Sequence, residues 1–232
     1  MSRVIRRRWA GDQTGPSRKD NRPCEYEAYV PDRLAGRRFG FDGEVAADVA
    51  DAEAAIARLN VEATSLVDTE ALARVLLRAE SVASSRIEGL EVGARRLLRA
   101  EAARDLGEPA SDVTALEVLG NIDAMALAVD SIGAGQSVTV PLLLELHRRL
   151  LAGTRLQQHG GNFREQQNWI GGSEYNPCAA AFVPPPPEFV EDLMRDLVAF
   201  ANEDSLPAVA QAALAHAQFE TIHPFVDGNG RT

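Results

Sequence analysis

Cysteine is scarce in this chain: Cys24 and Cys178 are the only two among 232 residues. Two are too few for the disulfide framework of a small secreted domain, so a reducing, cytoplasmic setting is expected. Long hydrophobic runs are missing as well, since no stretch approaches the ~20 apolar residues of a membrane span. The arginine-rich start, Arg3 to Arg8, has no apolar run behind it and is not read as a signal peptide. Positive charge is in deficit, with 24 Lys and Arg against 34 Asp and Glu, a net charge of -10 and a pI near 4.9. That balance argues against nucleic-acid binding through this chain. Neither GxxxxGK[ST] nor HExxH occurs, which removes the P-loop NTPases and the zincins. What remains is a chain long enough for a sizeable core in one large or two small domains.

Most of it reads as helix. Residues 1 to 40 are rich in Arg, Gly, Pro and Asp without a sustained period, and an irregular arm is expected there. From Asp42 a helical period sets in through Val45, Val49, Ala52, Ile56 and Leu59. A second helix, capped by Asp68, carries Leu72, Val75, Leu76, Ala79 and Ala83 on one stripe and stops at Gly89. Further helices follow around Leu97 and Leu98, then from Ser111 or Asp112 with Leu116, Leu119, Ile122, Met125, Ala126 and Val129 facing inward. After a Gly-Ala-Gly break, Thr139 caps a helix through Leu142, Leu146 and Leu150, with His147 near that stripe in a structural role. The last two helices open at Pro187, burying Phe189, Val190, Leu193, Leu197 and Phe200, and at Pro207, burying Ala212, Ala215, Phe219 and Ile222.

Chemistry concentrates in the last ten residues, HPFVDGNGRT, His223 to Thr232. Pro224 disfavours helix at His223, so the chain turns out into a loop there. Gly228 and Gly230 let backbone N–H groups converge on an anion, and a helix restarting at Asn229 or Gly230 would add to that site. Arg231 offers a fixed fork for phosphate oxygens, Asp227 a hard ligand for Mg²⁺, and His223 a base near neutral pH. A second reading groups His216, Glu220 and His223, at helical steps of four and three, around a metal. Upstream, Ser84 and Glu88 are four apart and share a helix face, and a carboxylate in the last turn before Gly89 opposes the helix dipole and asks for a partner. Gly153 to Pro187 is too long for an ordinary connection between helices, which leaves a functional loop, a disordered one or a surface linker stiffened by prolines.

HPFVDGNGR resembles the Fic family signature HPFx[DE]GNGRxxR, and the resemblance implies transfer of a nucleoside monophosphate, usually AMP from ATP, onto a protein hydroxyl. It implies His223 as general base, Asp227 as the Mg²⁺ ligand, Gly228, Asn229, Gly230 and Arg231 as the phosphate loop, and Phe225 as the loop's apolar anchor. SxxxEG, Ser84 to Gly89, resembles the family's [ST]xxxE[GN] inhibitory motif, which implies that Glu88 obstructs the γ-phosphate. GNFREQQNWIGG, Gly161 to Gly172, and SEYNPCAAAFVPPPP resemble the stretches around the family's flap, a β-hairpin with a strand through Ala179, Ala181, Phe182 and Val183 that offers its edge to a target peptide.

The expected architecture is thus an all-α, Fic-type bundle with a small β-hairpin flap. The expected organisation is an arm over 1–40, a regulatory helical segment over 41–110 and a Fic core over 111–232. The second arginine of the signature would fall beyond Thr232, so the core is expected to be incomplete at its C-terminus, and many relatives continue into a winged-helix DNA-binding domain. Glycine at position 230, where kinase-like relatives carry lysine, favours nucleotidyl transfer. The partners expected are ATP, an unspecified target protein and, in some settings, a second copy in a homodimer. Removal of AMP, or nucleotide sensing without turnover by an inactive fragment, stay open as alternatives.

Overall fold

The computed structural model describes residues 1–11, 15–63, 69–108, 111–133 and 135–232, with backbone alone at 69–71. Of the sequence-based assignments, the Asp68 cap and the middle of the Gly-Ala-Gly break lie outside the described residues. The elements in order are β1 Arg3–Trp9, β2 Cys24–Val30, α1 Gly43–Ala63, α2 Thr69–Ile87, α3 Ala94–Asp105, α4 Val113–Gly133, α5 Val140–Leu150, α6 Pro187–Ala201 and α7 Ala208–Ile222. Single 3₁₀ turns occupy Gln157–His159, Pro177–Ala179 and Asn229–Arg231. The fold is mostly helical, and the chain divides into two compact units.

The first unit gathers residues 1–38, 163–203 and 213–226. The arm expected to be irregular forms an antiparallel pair instead, β1 on β2, running from Arg3 opposite Val30 to Trp9 opposite Cys24. Its ties are distant in sequence: Arg7 pairs with Glu188, the Arg3 guanidinium sits 5.2 Å from the Phe189 ring, and Trp9 meets Trp169 edge-on at 5.4 Å. Tyr29 N–H donates to the Val183 carbonyl at 2.9 Å, and Cys24 and Cys178 are joined in a disulfide. In the flap stretch the pairing is one antiparallel bridge, Ile170 to Phe182. Ala179, assigned to a strand from its alternation, ends a 3₁₀ turn that Asn176 caps by accepting from Cys178 N–H. α6 begins at Pro187 as expected and buries Val190, Leu193, Met194, Leu197 and Phe200.

The second unit gathers residues 39–162, 204–212 and 227–232. Its centre is α4, against which α2, α3 and α5 pack. Leu97 and Ala100 of α3 meet Ala115, Val118 and Leu119 of α4, while Ala124 packs with Leu150 and Leu151. α5 crosses so close that a Cβ on Gly120 would lie 2.5 Å from the Leu150 carbonyl oxygen. Thr139 Oγ1 caps α5 by accepting from Leu142 N–H at 3.2 Å, and Asp112 caps α4 through Ala115 N–H at 3.1 Å.

Two inward stripes are misplaced by the sequence reading. On α2 the fully buried residues toward α4 are polar, with Val82 packed on the α3–α4 cluster beside them: Asn121 Nδ2 donates to the Ser81 carbonyl and to Ser85 Oγ at 2.9 and 3.0 Å. Leu72, Val75, Leu76, Ala79 and Ala83 are exposed, as is Val129 of α4. On α7 the buried residues are Ala210, Gln211, Gln218, Phe219 and Ile222. Ala212 is exposed and Ala215 half-buried, because the helix turns its glutamines inward; Gln218 donates to the Asp32 carbonyl at 2.8 Å.

Candidate functional site

The sequence run His223 to Thr232 is divided between the units at Val226. In the first unit, α7 ends at Ile222, one residue before the position that Pro224 restricts. His223 then adopts φ 49°, the only positive φ at a non-glycine among the described residues. A left-handed backbone costs an L-residue about 1–2 kcal/mol, so the surroundings must impose it. Four hydrogen bonds do so. Arg164 Nε and Asn168 Nδ2 donate to the His223 carbonyl at 2.8 and 3.4 Å, Arg164 N–H to the Pro224 carbonyl at 2.9 Å, and Asn168 Nδ2 to the Phe225 carbonyl at 3.1 Å. Phe225 is fully buried, its ring 5.7 Å from Phe163 and 6.1 Å from Phe219. The His223 side chain is 22% exposed. Its Nδ1 is buried 3.7 Å from Glu220 Oε2, and the imidazole beside it holds the Glu220 carboxyl below the usual range.

The second unit holds the loop Asp227 to Thr232. Gly228 takes φ 80°, and a Cβ there would meet Leu150 Cδ2 at 2.8 Å, so both conformation and space require glycine. Its carbonyl turns inward to accept from Arg231 N–H, Thr232 N–H and Thr232 Oγ1 at 3.2, 3.1 and 2.9 Å. Among the described residues, the amides of Gly228 and Gly230 meet no acceptor. The Arg231 side chain is only 6% exposed, yet its Nε and Nη1 have no partner among the described residues and its Nη2 lies 3.9 Å from Asp227 Oδ2. A buried guanidinium so poorly paired is costly unless an anion completes it. The Asp227 side chain is 51% exposed with that long contact as its one ion pair among the described residues, which suits a hard oxygen donor to a solvated Mg²⁺.

His147 fastens this loop. Its Nε2 donates to the Asp227 carbonyl and its Nδ1 accepts from Gly161 N–H, both at 3.1 Å, which fixes the neutral tautomer with hydrogen on Nε2. Burial pushes its pKa down to about 4. The histidine read as structural therefore braces the candidate site directly. From the other side comes Glu88. α2 stops at Ile87, Gly89 takes φ 81° and donates to the Arg86 carbonyl, and Glu88 N–H bonds back to the Ser84 carbonyl at 3.4 Å. This turn lays the Glu88 carboxylate on the loop: a Cβ on Gly230 would be 2.2 Å from its Oε1.

Glu88, 144 positions before the end of the chain, is thus brought onto the loop holding Asp227, Gly228, Asn229, Gly230 and Arg231. Ala181, Phe182 and Val183 flank the Ile170 bridge in the first unit. No group of three or more His, Cys, Asp and Glu suited to a metal occurs among the described residues, and His216 is exposed. The sequence reading missed Arg164 and Asn168. The signal available was a basic residue directly after an uncharged Gly-Gly-Asn-Phe run, a place where burial among carbonyls is possible.

Residues 137–232 match the Fic/DOC family profile and residues 46–130 the profile described as Fic/DOC family N-terminal. Proteins called protein adenylyltransferase Fic from Drosophila melanogaster and Drosophila willistoni are 39% and 40% identical over 119 residues. Those alignments take in 50% of this chain but 22% of each relative, so the chain spans a minor part of the curated proteins it matches. A Fic family protein from Desulfovibrio desulfuricans superposes with TM-score 0.60 at 21% identity, covering 83% of this chain and 55% of that one. Fic-1 from C. elegans does so with TM-score 0.60 at 24% identity, covering 81% and 55%. The two profiles between them take in most of the chain and the solved structures share its fold: the chain belongs to the Fic/DOC family.

Proposed function

We propose that this chain is the nucleotide-handling part of a protein adenylyltransferase that moves AMP from ATP to a Ser, Thr or Tyr hydroxyl of a target protein. One observation carries the reading: the buried Arg231 guanidinium, two of its nitrogens unpaired, in a loop with unbonded glycine amides. Such a loop is built to receive phosphate oxygens. The name borne by the Drosophila relatives supports the same chemistry.

In the proposed reaction the loop Gly228 to Arg231 binds the phosphates. The target hydroxyl gives its proton to His223, whose Nε2 is the available nitrogen because Nδ1 is buried beside Glu220. The hydroxyl oxygen bonds to the α-phosphorus as the bond from that phosphorus to the bridging oxygen breaks, and pyrophosphate leaves. Arg231 offsets its charge. Mg²⁺, for which Asp227 is the proposed ligand, would supply further charge neutralisation on the phosphates. Target docking is assigned to the flap around Ala181, Phe182 and Val183. Glu88 is the proposed autoinhibitory group, since a carboxylate on the loop repels a triphosphate. The same placement favours a second reading, removal of AMP with Glu88 holding the water.

The proposed compartment is the cytoplasm, and the proposed organisation keeps the arm, the regulatory segment and the core at the boundaries given above. The test is incubation of the full-length protein with α-labelled ATP, Mg²⁺ and lysate. Labelled protein is expected, lost in His223→Ala by at least ~10²-fold as a general base is removed and increased in Glu88→Gly. ATP binding without label in either the native or the Glu88→Gly protein would leave a nucleotide sensor.

A further inference from the structure

Arg164 stands out among the side chains to which the proposed reaction gives no part. It is 3% exposed, and burial pushes its pKa down to about 10. No carboxylate pairs with it within 4.0 Å among the described residues. Its guanidinium is satisfied by carbonyls: His223 at 2.8 Å, Gln166 at 3.1 Å, Pro185 at 2.5 Å and Ile222 at 3.3 Å. A buried cation spent on carbonyls, rather than on a carboxylate, is unusual and needs a reason. Two of those carbonyls, Ile222 and His223, belong to the residues where α7 gives way to the left-handed turn, and the Arg164 amide takes a third, Pro224. Asn168 closes the set by bridging His223 and Phe225 through one nitrogen. Its orientation follows from this, because the flipped amide would set Oδ1 against two carbonyl oxygens.

The backbone of His223 decides where its imidazole points, since side-chain direction is coupled to φ. We infer that Arg164 and Asn168 are positioning residues for His223: by holding four consecutive carbonyls, from Ile222 to Phe225, they impose the left-handed turn that aims the imidazole. The inference rests on the reading of His223 as the base. Neither residue touches the nucleotide in this scheme, so their loss should lower turnover and leave nucleotide affinity alone.

Asn168→Ala is the sharper probe, because Arg164→Ala strips the side-chain donors from four carbonyls and risks the fold. In the full-length protein with Glu88→Gly, Asn168→Ala should lower kcat for labelling by about 10–10²-fold, the scale of a small misplacement of a reacting group, with KM for ATP within about twofold. Ring ¹H–¹⁵N spectra give a readout independent of activity. Of the four imidazoles, that of His223, assigned by its loss in His223→Ala, should shift or broaden, while His147, His159 and His216 stay in place. An unchanged His223 ring spectrum in folded Asn168→Ala overturns the inference, as does a loss that appears only in KM. If the native protein and Glu88→Gly transfer no label, the adenylyl-transfer reading fails and the ring spectra alone decide this one.

Discussion

His147 shows how a single residue can join stability to the site. Its neutral form donates at Nε2 and accepts at Nδ1, so protonation would set a new N–H against the Gly161 N–H. In the unfolded chain the imidazole titrates near 6.5, and in the fold near 4. The folded state therefore binds fewer protons over that window, and stability rises with pH there. Stability from this group is present above pH 6.5 and is lost as the pH falls toward 4. At 1.36 kcal/mol per pKa unit, about 2 kcal/mol should disappear between pH 7 and pH 5. The urea midpoint at the two pH values measures it. His147→Gln, which keeps a donor for the Asp227 carbonyl but cannot take up a proton, should remove most of that slope. A slope equal to that of the native protein would assign the dependence to carboxylates instead.

At the scale of elements, the α4–α5 crossing is the most demanding contact of the second unit. Gly120 admits the Leu150 carbonyl to a distance no side chain could share, and Leu150 is also the residue against which Gly228 packs. Gly120→Ala should push α5 away and cost about 1–3 kcal/mol as an overpacked core position, read as a lower denaturant midpoint. Because α5 carries His147, the Asp227 carbonyl should lose its donor, and ATP affinity should fall as well. Unchanged stability would mean that the two helices separate freely.

Sequence signals located these helices well where the cue was local. Thr139 before Val140, Pro187, and Gly89 after the last turn of α2 all stand at the ends they were expected to mark. The faces were less legible. Periodicity counts apolar residues, yet the fully buried residues that α2 turns toward α4 are Ser81 and Ser85, both bonded to Asn121. β1 escaped because its strand character is conferred by Glu188, Phe189 and Trp169, far along the chain, and RVIRRRW shows no alternation of its own. The site was legible as a list of residues because the motif is contiguous. What supports it was not, since Arg164, Asn168 and His147 act by bonding to backbone, which leaves no pattern of residue types.

Across the whole molecule the covalent constraint is the Cys24–Cys178 bond, which spans 154 positions and ties β2 to the 3₁₀ turn before the flap bridge. Around it, Asp20 accepts from Ser173 Oγ at 2.8 Å, and Asn176 Nδ2 donates to the Asp20 carbonyl at 2.8 Å, so the segment after β1 and the flap are fastened at several points. The bond is the part of that fastening that depends on redox conditions. A closed loop of this length restricts the unfolded chain by about 3–5 kcal/mol in the chain-entropy account. A dithiol reductant, itself oxidised to a cyclic disulfide as two electrons and two protons pass to the cysteines, should lower the melting temperature by roughly 10 °C. Cys24→Ser should reproduce the drop and be insensitive to the reductant. The same chemistry tests the proposed compartment, because a reducing cytoplasm keeps such thiols apart. Protein extracted with its thiols blocked at once, then unfolded and weighed, should carry two blocking groups if it resides there. If it carries none, the bond persists in the cell and the cytoplasmic assignment falls, while the stabilising role of the bond stands.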